Sequence, residues 1–478
     1  MADAYIPQHF VDFIRPHVPE HLCLEDFLAY CQKPLRKSIR VNTLKISIAD
    51  FKALAAKRDW TLSPIPWCES GFWLTRYNEQ EAEISLGNTF EHLTGLFYIQ
   101  EASSMLPPQA LLKDNSNIET ALDVASAPGS KTTQLAALMK NQGLLVANEF
   151  SSSRTKVLAA NIQRCGVTNT AITHMDGRMF KHLTETFDSI LLDAPCSGEG
   201  TIRKDPDSMK NWTEVSVHAI AETQIDLLIS AFHALKVGGE LIYSTCTLNP
   251  FENQAICTKL KATFEDAVEF IPLGDLFDGA ENCLTEQGFL HVWPQIYDSE
   301  GFFVAKIKKR SSVEQTEANP FKKLGKFPYQ ALPNKDAKAF LSFINSQFGF
   351  DYFNSDELYT RNQEIWYFPS GIEPIAAKIK LNRSGVKLAE IHKKGFKLDH
   401  QFALAFGRHF KKQIQILTES DAQQYLMGQD LRPETVEIDK GEAVVCYQNQ
   451  VLGFVKNLGN RLKNQLSRDL VKDGLYKF

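Results

Sequence analysis

The 478-residue chain has no Cys-x-x-Cys pair, and its nine cysteines are odd in number and irregularly spaced. That pattern excludes a disulfide framework and the usual zinc sites, so no metal is expected. No apolar run approaches the roughly 18 residues that cross a bilayer. The opening residues, Met1-Ala-Asp-Ala-Tyr5, lack the basic and apolar regions of a secretory signal. No membrane partner is therefore expected, and mostly reduced, buried cysteines fit a cytoplasmic protein. Two nucleotide signatures are missing as well. There is no Gly-x-Gly-x-x-Gly, and Gly129-Ser-Lys-Thr132 falls short of a phosphate loop because position 124 is valine. Internal repeats, heptads and low-complexity tracts are absent, which leaves a monomer as the default.

What is present is an ordinary globular composition, 44% hydrophobic and 23% charged, in a chain long enough for two to four domains. The net charge of −5 hides an asymmetry. Residues 301–478 hold 28 Lys and Arg against 19 Asp and Glu, +9, leaving 24 against 38, −14, for residues 1–300. A basic C-terminal third on an acidic body fits an appended nucleic-acid module, although a solvated basic surface would look the same.

Residues 1–30 have apolar positions at helical spacing. The alternating Ser38–Leu44, a helix over Ile48–Lys57 and a strand near Gly71–Thr75 complete a small α/β unit, 1–84. From 85 to 309, strands and helices alternate, which predicts a doubly wound parallel sheet. Its strands are expected at Ala121–Ala125, Gly143–Asn148, Thr170–His174, Ser189–Leu192 and Glu240–Ser244, and Gly288–Trp293 with Gly301–Ile307 should close it as an antiparallel hairpin. A linker (310–328), an α/β accessory unit (329–387) and a β-rich unit (388–478) follow.

Ligands gather beyond the carboxyl ends of such strands. After the first strand comes Asp123-Val-Ala-Ser-Ala-Pro-Gly-Ser-Lys131, where a glycine lets backbone approach a ligand. Glu149 ends the second strand, spaced to hold two ribose hydroxyls, and Asp176 ends the third, where it could accept from an adenine amine. Single strand-end acids mean little, but three in succession, with Asp193, favour an adenosine-bearing cofactor. At the same edge stand two thiols, Cys196 in Asp193-Ala-Pro-Cys-Ser-Gly-Glu-Gly200 and Cys246 in Ser244-Thr-Cys-Thr247. Two cysteines flanking a carboxylate suggest covalent attack on an electrophilic carbon. The residues alone leave Cys196 and Cys246 nearly tied as nucleophile.

The ordered set Ala127-Pro-Gly-Ser-Lys131, Asp193–Gly200 and Ser244–Thr247 resembles the RNA cytosine-5-methyltransferases of the Nol1/Nop2/Sun group. Lys33–Leu44 and the tail after 388 are similar to a bacterial ribosomal branch of that group, so the resemblance covers nearly the whole chain. Ser130 stands where many relatives have a second glycine. The resemblance implies a Rossmann-like S-adenosylmethionine-dependent core and a C-terminal RNA-binding region like the PUA module. It implies a cofactor held through Ala125, Ser126, Ala127, Pro128, Gly129, Ser130, Lys131, Glu149, Asp176 and Asp193. It further implies methylation of cytosine 1407 of 16S ribosomal RNA, within the 30S subunit. Cys246 becomes the nucleophile, Cys196 the thiol that helps release product, and Asp193 the contact to the base's nitrogen 3 and amine. In DNA enzymes of this chemistry the nucleophile sits instead in a Pro-Cys pair, as Cys196 does here. Alternatives are another RNA such as transfer RNA, or a non-catalytic assembly factor on the same fold. A helix start at Asn249-Pro250 is expected to make Cys246 more readily alkylated than Cys257. Phosphate contacts are expected from the run Lys33 to Lys45, from Arg203 and Lys204, and from Lys456–Lys463. Phe302-Phe303 and Phe348–Phe353 are either base-stacking or, more in keeping with their type, core.

Overall fold

The computed structural model describes residues 4–77, 84–113, 118–315, 327–382, 384–393, 395–466, 468 and 471. Most of the expected linker lies outside them. The first sheet contains β1 (Ser38–Val41), β2 (Thr61–Ile65), β3 (Cys68–Thr75) and β4 (Phe97–Ile99), in the order β2-β3-β1-β4. The helix Ile48–Lys57 begins where Ser47 Oγ accepts from Asp50 N, and it buries Phe51 and Ala55 against this sheet. Because β4 pairs antiparallel with β1, the first sheet reaches past the boundary expected at 84.

The central sheet contains β5 (Thr120–Asp123), β6 (Leu144–Asn148), β7 (Thr170–Thr173), β8 (Phe187–Asp193), β9 (Leu235–Thr245), β10 (Val268–Ile271), β11 (Leu290–Val292) and β12 (Phe302–Lys309). Its order is β10-β12-β9-β8-β5-β6-β7, with β11 beside β12. Strands β5 to β9 run parallel, and β12 runs antiparallel to β9 and β11, the closing hairpin expected from the sequence. Side chains of a strand alternate between faces. Leu144 and Val146 accordingly pack on one side with the helix Glu214–Ala234, while Leu145 and Ala147 pack on the other with Leu106, Ala110 and Leu135. With both faces covered, all five residues of β6 are buried, and each large aliphatic contributes roughly 1.5–3 kcal/mol.

The helix Glu214–Ala234 is long and apolar enough, by average hydropathy, to cross a membrane, although Glu222 and Asp226 interrupt its apolar residues. It is started by a reciprocal Thr213–Ser216 capping box and lays Ile225, Leu228 and Phe232 into the core. Core burial accounts for its apolar face.

The third sheet joins β13 (Gln330–Ala331), β14 (Leu358–Arg361), β15 (Glu364–Tyr367), β16 (Val386–His392) and β17 (Gly395–Leu398) in chain order. The division expected between 387 and 388 falls inside β16 and is corrected: this sheet continues to Leu398. The last sheet has β18 (Ile414–Ile416), β19 (Gly441–Tyr447), β20 (Gln450–Asn457) and β21 (Leu462–Asn464). The units are stitched together. Asn382 N donates to Ile172 O at 2.7 Å, Arg408 reaches Leu44 O at 3.0 Å, and the Phe90 ring meets Tyr447 edge-on at 5.1 Å. Phe348, Phe350 and Phe353 lie in the core of the third unit and Phe303 in that of the central one, which settles those residues as packing.

Candidate active site

Parallel pairing of β8 with β9 puts Asp193 opposite Ser244. The chain beyond each strand therefore emerges at the same edge, and Cys196 and Cys246 meet with their sulfurs 3.1 Å apart, unbonded. Thr245 and Thr247 are fully buried, whereas Cys246 between them is half-buried and opens into two adjoining clefts. Contact with Cys246, reinforced by burial, pushes the Cys196 thiol well above its usual pKa. Burial alone does the same to Cys257. The helix after Cys246 begins at Gln254, four residues beyond Pro250, where its start was expected.

What holds the two cysteine loops is a reciprocal clamp that sequence reading missed. Glu199, in the Cys196 loop, accepts from Thr247 Oγ1 at 2.7 Å, Leu248 N at 3.1 Å and Asn249 N at 2.9 Å, all in the Cys246 loop. Glu252, in the Cys246 loop, accepts from Ser197 N at 3.0 Å, and burial holds its carboxyl above the usual range. Both side chains are fully buried. The signal was present, Glu199 inside the Cys196 motif and Glu252 shortly after the Cys246 motif, but pairing them requires the β8–β9 register. Gly200 completes the joint. Its N–H donates to Cys246 O at 2.9 Å, and a Cβ there would lie 2.2 Å from Gly301 O, so only glycine fits.

Asp193 is fixed by Ser244 Oγ on one oxygen and Lys131 Nζ on the other, both at 2.8 Å. Lys131 is buried and also donates to Ser104 Oγ at 2.8 Å. Burial disfavours its charge, but Asp193, with smaller pulls from Cys246 and Asp123, outweighs burial and raises its pKa. Asp123 lies beneath this loop. Burial pushes its carboxyl up to about 7 against the hydroxyl donated by Thr132, and its Oδ1 has no hydrogen-bond partner.

The larger cleft, about 460 Å³, runs from Cys196 and Cys246 past Asp193, Ala125 and Ala127 to Glu149, Phe150 and Asp176. Glu149 accepts from Ala127 N and Ser151 N and lies 3.5 Å from Arg154. Asp176 caps a short helix and binds Arg178 at 2.6 Å, which holds its carboxyl below the usual range. Phe150, 71% exposed, offers a ring to the cleft. The second cleft, about 220 Å³, shares Ala125, Ala127, Asp193 and Cys246 and adds Ser104, Lys204, Glu300 and Phe302. The sequence-predicted loop divides between them: Ser126, Pro128, Ser130 and Lys131 line only the second cleft. Gly129 lines neither; it makes the turn into the helix Ser130–Leu138 at φ +107°. Phe302 is buried yet lines this cleft, with Lys131 Nζ 5.3 Å from its ring centre.

The predicted basic contacts separate sharply. Arg203 is buried and donates to Lys33 O, Pro34 O and Ser299 O, and Arg40 is buried against Ser130 O and Thr133. Neither is placed for phosphate. Arg36 is tied to Asp298, and Lys45 to Thr94 O. Lys33, Lys37, Lys204, Lys456 and Lys463 remain exposed. Among the described residues no group of His, Cys, Asp and Glu could hold a metal ion.

Four family descriptions match in sequence order: the N-terminal domain of 16S rRNA methyltransferase RsmF over residues 6–102, 16S rRNA methyltransferase RsmB/F over 110–308, the RsmF pre-PUA domain over 329–406 and the RsmF PUA domain over 416–472. The chain is 55% identical to ribosomal RNA small subunit methyltransferase F of Aliivibrio fischeri (strain MJ11), over 98% of both proteins. It belongs to the RsmF family. It is an enzyme, a methyltransferase, with the N-terminal, catalytic, pre-PUA and PUA units of that family. The methyltransferase F of Photobacterium profundum is 52% identical over 98% of both chains. A methyltransferase homolog from Pyrococcus horikoshii, 34% identical with a TM-score of 0.51, covers 64% of this chain and 100% of its own. The structure of NSun6 from the same organism with SFG, 22% identical with a TM-score of 0.55, shares the fold over 64% of this chain and 99% of its own.

Proposed function

We propose that this methyltransferase modifies carbon 5 of a cytosine in 16S ribosomal RNA, position 1407, through a temporary bond from Cys246 to carbon 6. The observation that carries the reading is the pair of unbonded sulfurs 3.1 Å apart at the meeting point of two clefts, beside an Asp193 held by Lys131. Carbon 5 of cytosine is a weak nucleophile. Addition of the Cys246 thiolate at carbon 6 converts the ring to an enamine, which makes carbon 5 electron-rich. Asp193, itself held by Lys131 and Ser244, accepts from the exocyclic amine and so orients the base for attack. Loss of the carbon 5 proton to water then expels Cys246 as a thiolate, and Cys196, kept protonated by its surroundings, hydrogen-bonds the leaving sulfur and assists that release.

The larger cleft fits S-adenosylmethionine, which when bound supplies the electrophilic methyl. Its volume suits a ligand of that size. Glu149 keeps lone pairs for two ribose hydroxyls, Asp176 for an adenine amine, and Phe150 presents a face to a purine. A target base within a duplex has to be turned out to reach the second cleft. Lys204 at its mouth can hold phosphate. So can Lys456 and Lys463, which are direct neighbours across β20 and β21. The domain division belongs to this proposal, with the RNA-binding unit beginning after the helix His400–Phe406 rather than at 388, and the enzyme acting as a cytoplasmic monomer on the 30S subunit.

Transfer of labelled methyl to 30S subunits, free 16S RNA, transfer RNA and duplex DNA, followed by nucleoside analysis, tests the reading. 5-Methylcytidine in 16S RNA from 30S subunits is expected. Methylation confined to transfer RNA, or a product other than 5-methylcytidine, would contradict it.

A further inference from the structure

The second cleft contains a carboxyl group that the scheme above leaves without work. Glu300 is 3% exposed, yet it lines the cleft with Cys246, Lys131, Asp193 and Phe302. Its Oε1 has no hydrogen-bond partner among the described residues. The position is rigidly set: Glu300 N donates to Glu101 Oε1 at 3.0 Å, and the next residue, Gly301, donates to the carbonyl of Gly200, whose own N–H donates to Cys246 O. A buried, unpaired carboxyl is costly unless something bonds to it.

The geometry points to Glu300 as a specificity-determining residue of the reaction: its carboxyl group donates a hydrogen bond to the N3/O2 edge of the target cytosine while Asp193 accepts from the amine. The inference rests on the cytosine reading above. Cytosine presents its amine as donor and its N3 and O2 as acceptors. Uracil presents an acceptor and then a donor at the first two of those positions. An accepting Asp193 beside a donating Glu300 matches the first pattern and opposes the second. The two acids are set apart by their surroundings. Asp193 has the Lys131 ammonium at 2.8 Å. Burial, with the Glu101 carboxylate and the Cys246 sulfur nearby, pushes the Glu300 carboxyl well above the usual range, against weaker opposing pulls from Lys204 and Lys131. A site built around a substrate hydrogen bond discriminates strongly because the wrong partner leaves buried groups unpaired.

Because the carboxyl is needed in its protonated form, activity falls as pH rises through its pKa. The test compares wild type, Glu300→Ala and Glu300→Gln in steady-state methylation of 30S subunits across pH, with cofactor affinity measured separately by calorimetry. The alanine variant is expected to lose about ten- to a hundredfold in kcat/KM for 30S subunits with cofactor affinity unchanged. The glutamine variant, whose amide still donates but does not titrate, recovers part of that loss and lacks the alkaline fall. An alanine variant with undiminished kcat/KM, a loss seen in cofactor affinity instead, or a glutamine variant keeping the alkaline fall each overturns the inference. If wild type makes no 5-methylcytidine, the functional reading fails and takes this one with it. If wild type does and the variants behave otherwise than stated, only this inference fails.

Discussion

Away from the thiols, the larger cleft pairs its acids with arginines, Glu149 with Arg154 and Asp176 with Arg178, whereas in the smaller one Lys131 is spent on the shared Asp193 and Glu300 keeps an unpartnered oxygen. The two clefts share Cys246 and Asp193, yet their charges are arranged for different tasks. The arginine beside Asp176 holds its carboxyl below the usual range, and both acids keep acceptor oxygens suited to hydroxyls and an amine that never change protonation. A carboxyl whose burial and acidic neighbour outweigh the pull of nearby lysines holds its proton and can donate. The first cleft should be indifferent to pH near neutrality, and the second should respond to it.

The strongest way to separate them is Cys246→Ala. Methyl transfer should fall by roughly a thousandfold or more, the scale on which a lost covalent nucleophile acts, while calorimetry finds cofactor affinity unchanged. A variant that retains transfer removes the covalent scheme.

Next in size is the clamp between the cysteine loops. Truncating Glu199 to alanine strips a buried carboxylate from Thr247, Leu248 and Asn249, and should cost about 3–5 kcal/mol in urea unfolding. Stability within experimental error of wild type would show that the loops hold themselves.

Asp123 supplies a pH test beneath the shared loop. Its folded pKa, about 7, stands above the unfolded value, so the folded state binds the extra proton between roughly pH 4 and 7. Its contribution to stability is present at acid pH and is lost as pH rises through that window, by up to about 4 kcal/mol. Asp123→Asn should lose this decline, measured as the difference from wild type in unfolding free energy at each pH. Identical slopes for the two proteins would contradict it. Across about pH 6 to 9, by contrast, cofactor affinity should stay flat, because the Asp176 carboxyl is held low and loses its charge only at more acid pH. A binding curve that titrates near neutrality would erase the contrast between the clefts.

The smallest effect belongs to the C-terminal hairpin. Lys456→Glu with Lys463→Glu should weaken RNA binding and reduce the slope of log affinity against log salt by about 1.5 or more, with cofactor binding intact. Unchanged affinity would remove this hairpin from the RNA surface.

Much of the fold could be read from residues because its signals are local. The helix Ile48–Lys57 and strands β5 to β9 emerge near their expected places, since apolar periodicity and a cap such as Ser47 act within a few residues. Both thiols and the three strand-end acids also arrive at one edge, a consequence of parallel topology. What escaped depends on distant pairing. Strand β4 returns to β1 across more than fifty residues, and β16 continues a sheet through the place where composition suggested a break. Arg203 reads as a free cation in sequence, but three backbone carbonyls from distant segments claim its guanidinium. Glu199, Glu252 and Glu300 share one reason for being missed. A carboxylate in a loop is ordinarily solvated, and only the register of β8 on β9 and the close approach of Gly200 to Gly301 bury these three.

The claim on which the rest depends is that Cys246 bonds to the pyrimidine and Cys196 helps undo that bond. Cys196→Ala, incubated with 30S subunits and S-adenosylmethionine and run on a denaturing gel, measures it directly. The account predicts a protein–RNA adduct that survives denaturation and disappears when Cys246→Ala is added to the same chain. An adduct formed by Cys246→Ala alone, or none from Cys196→Ala, would contradict it.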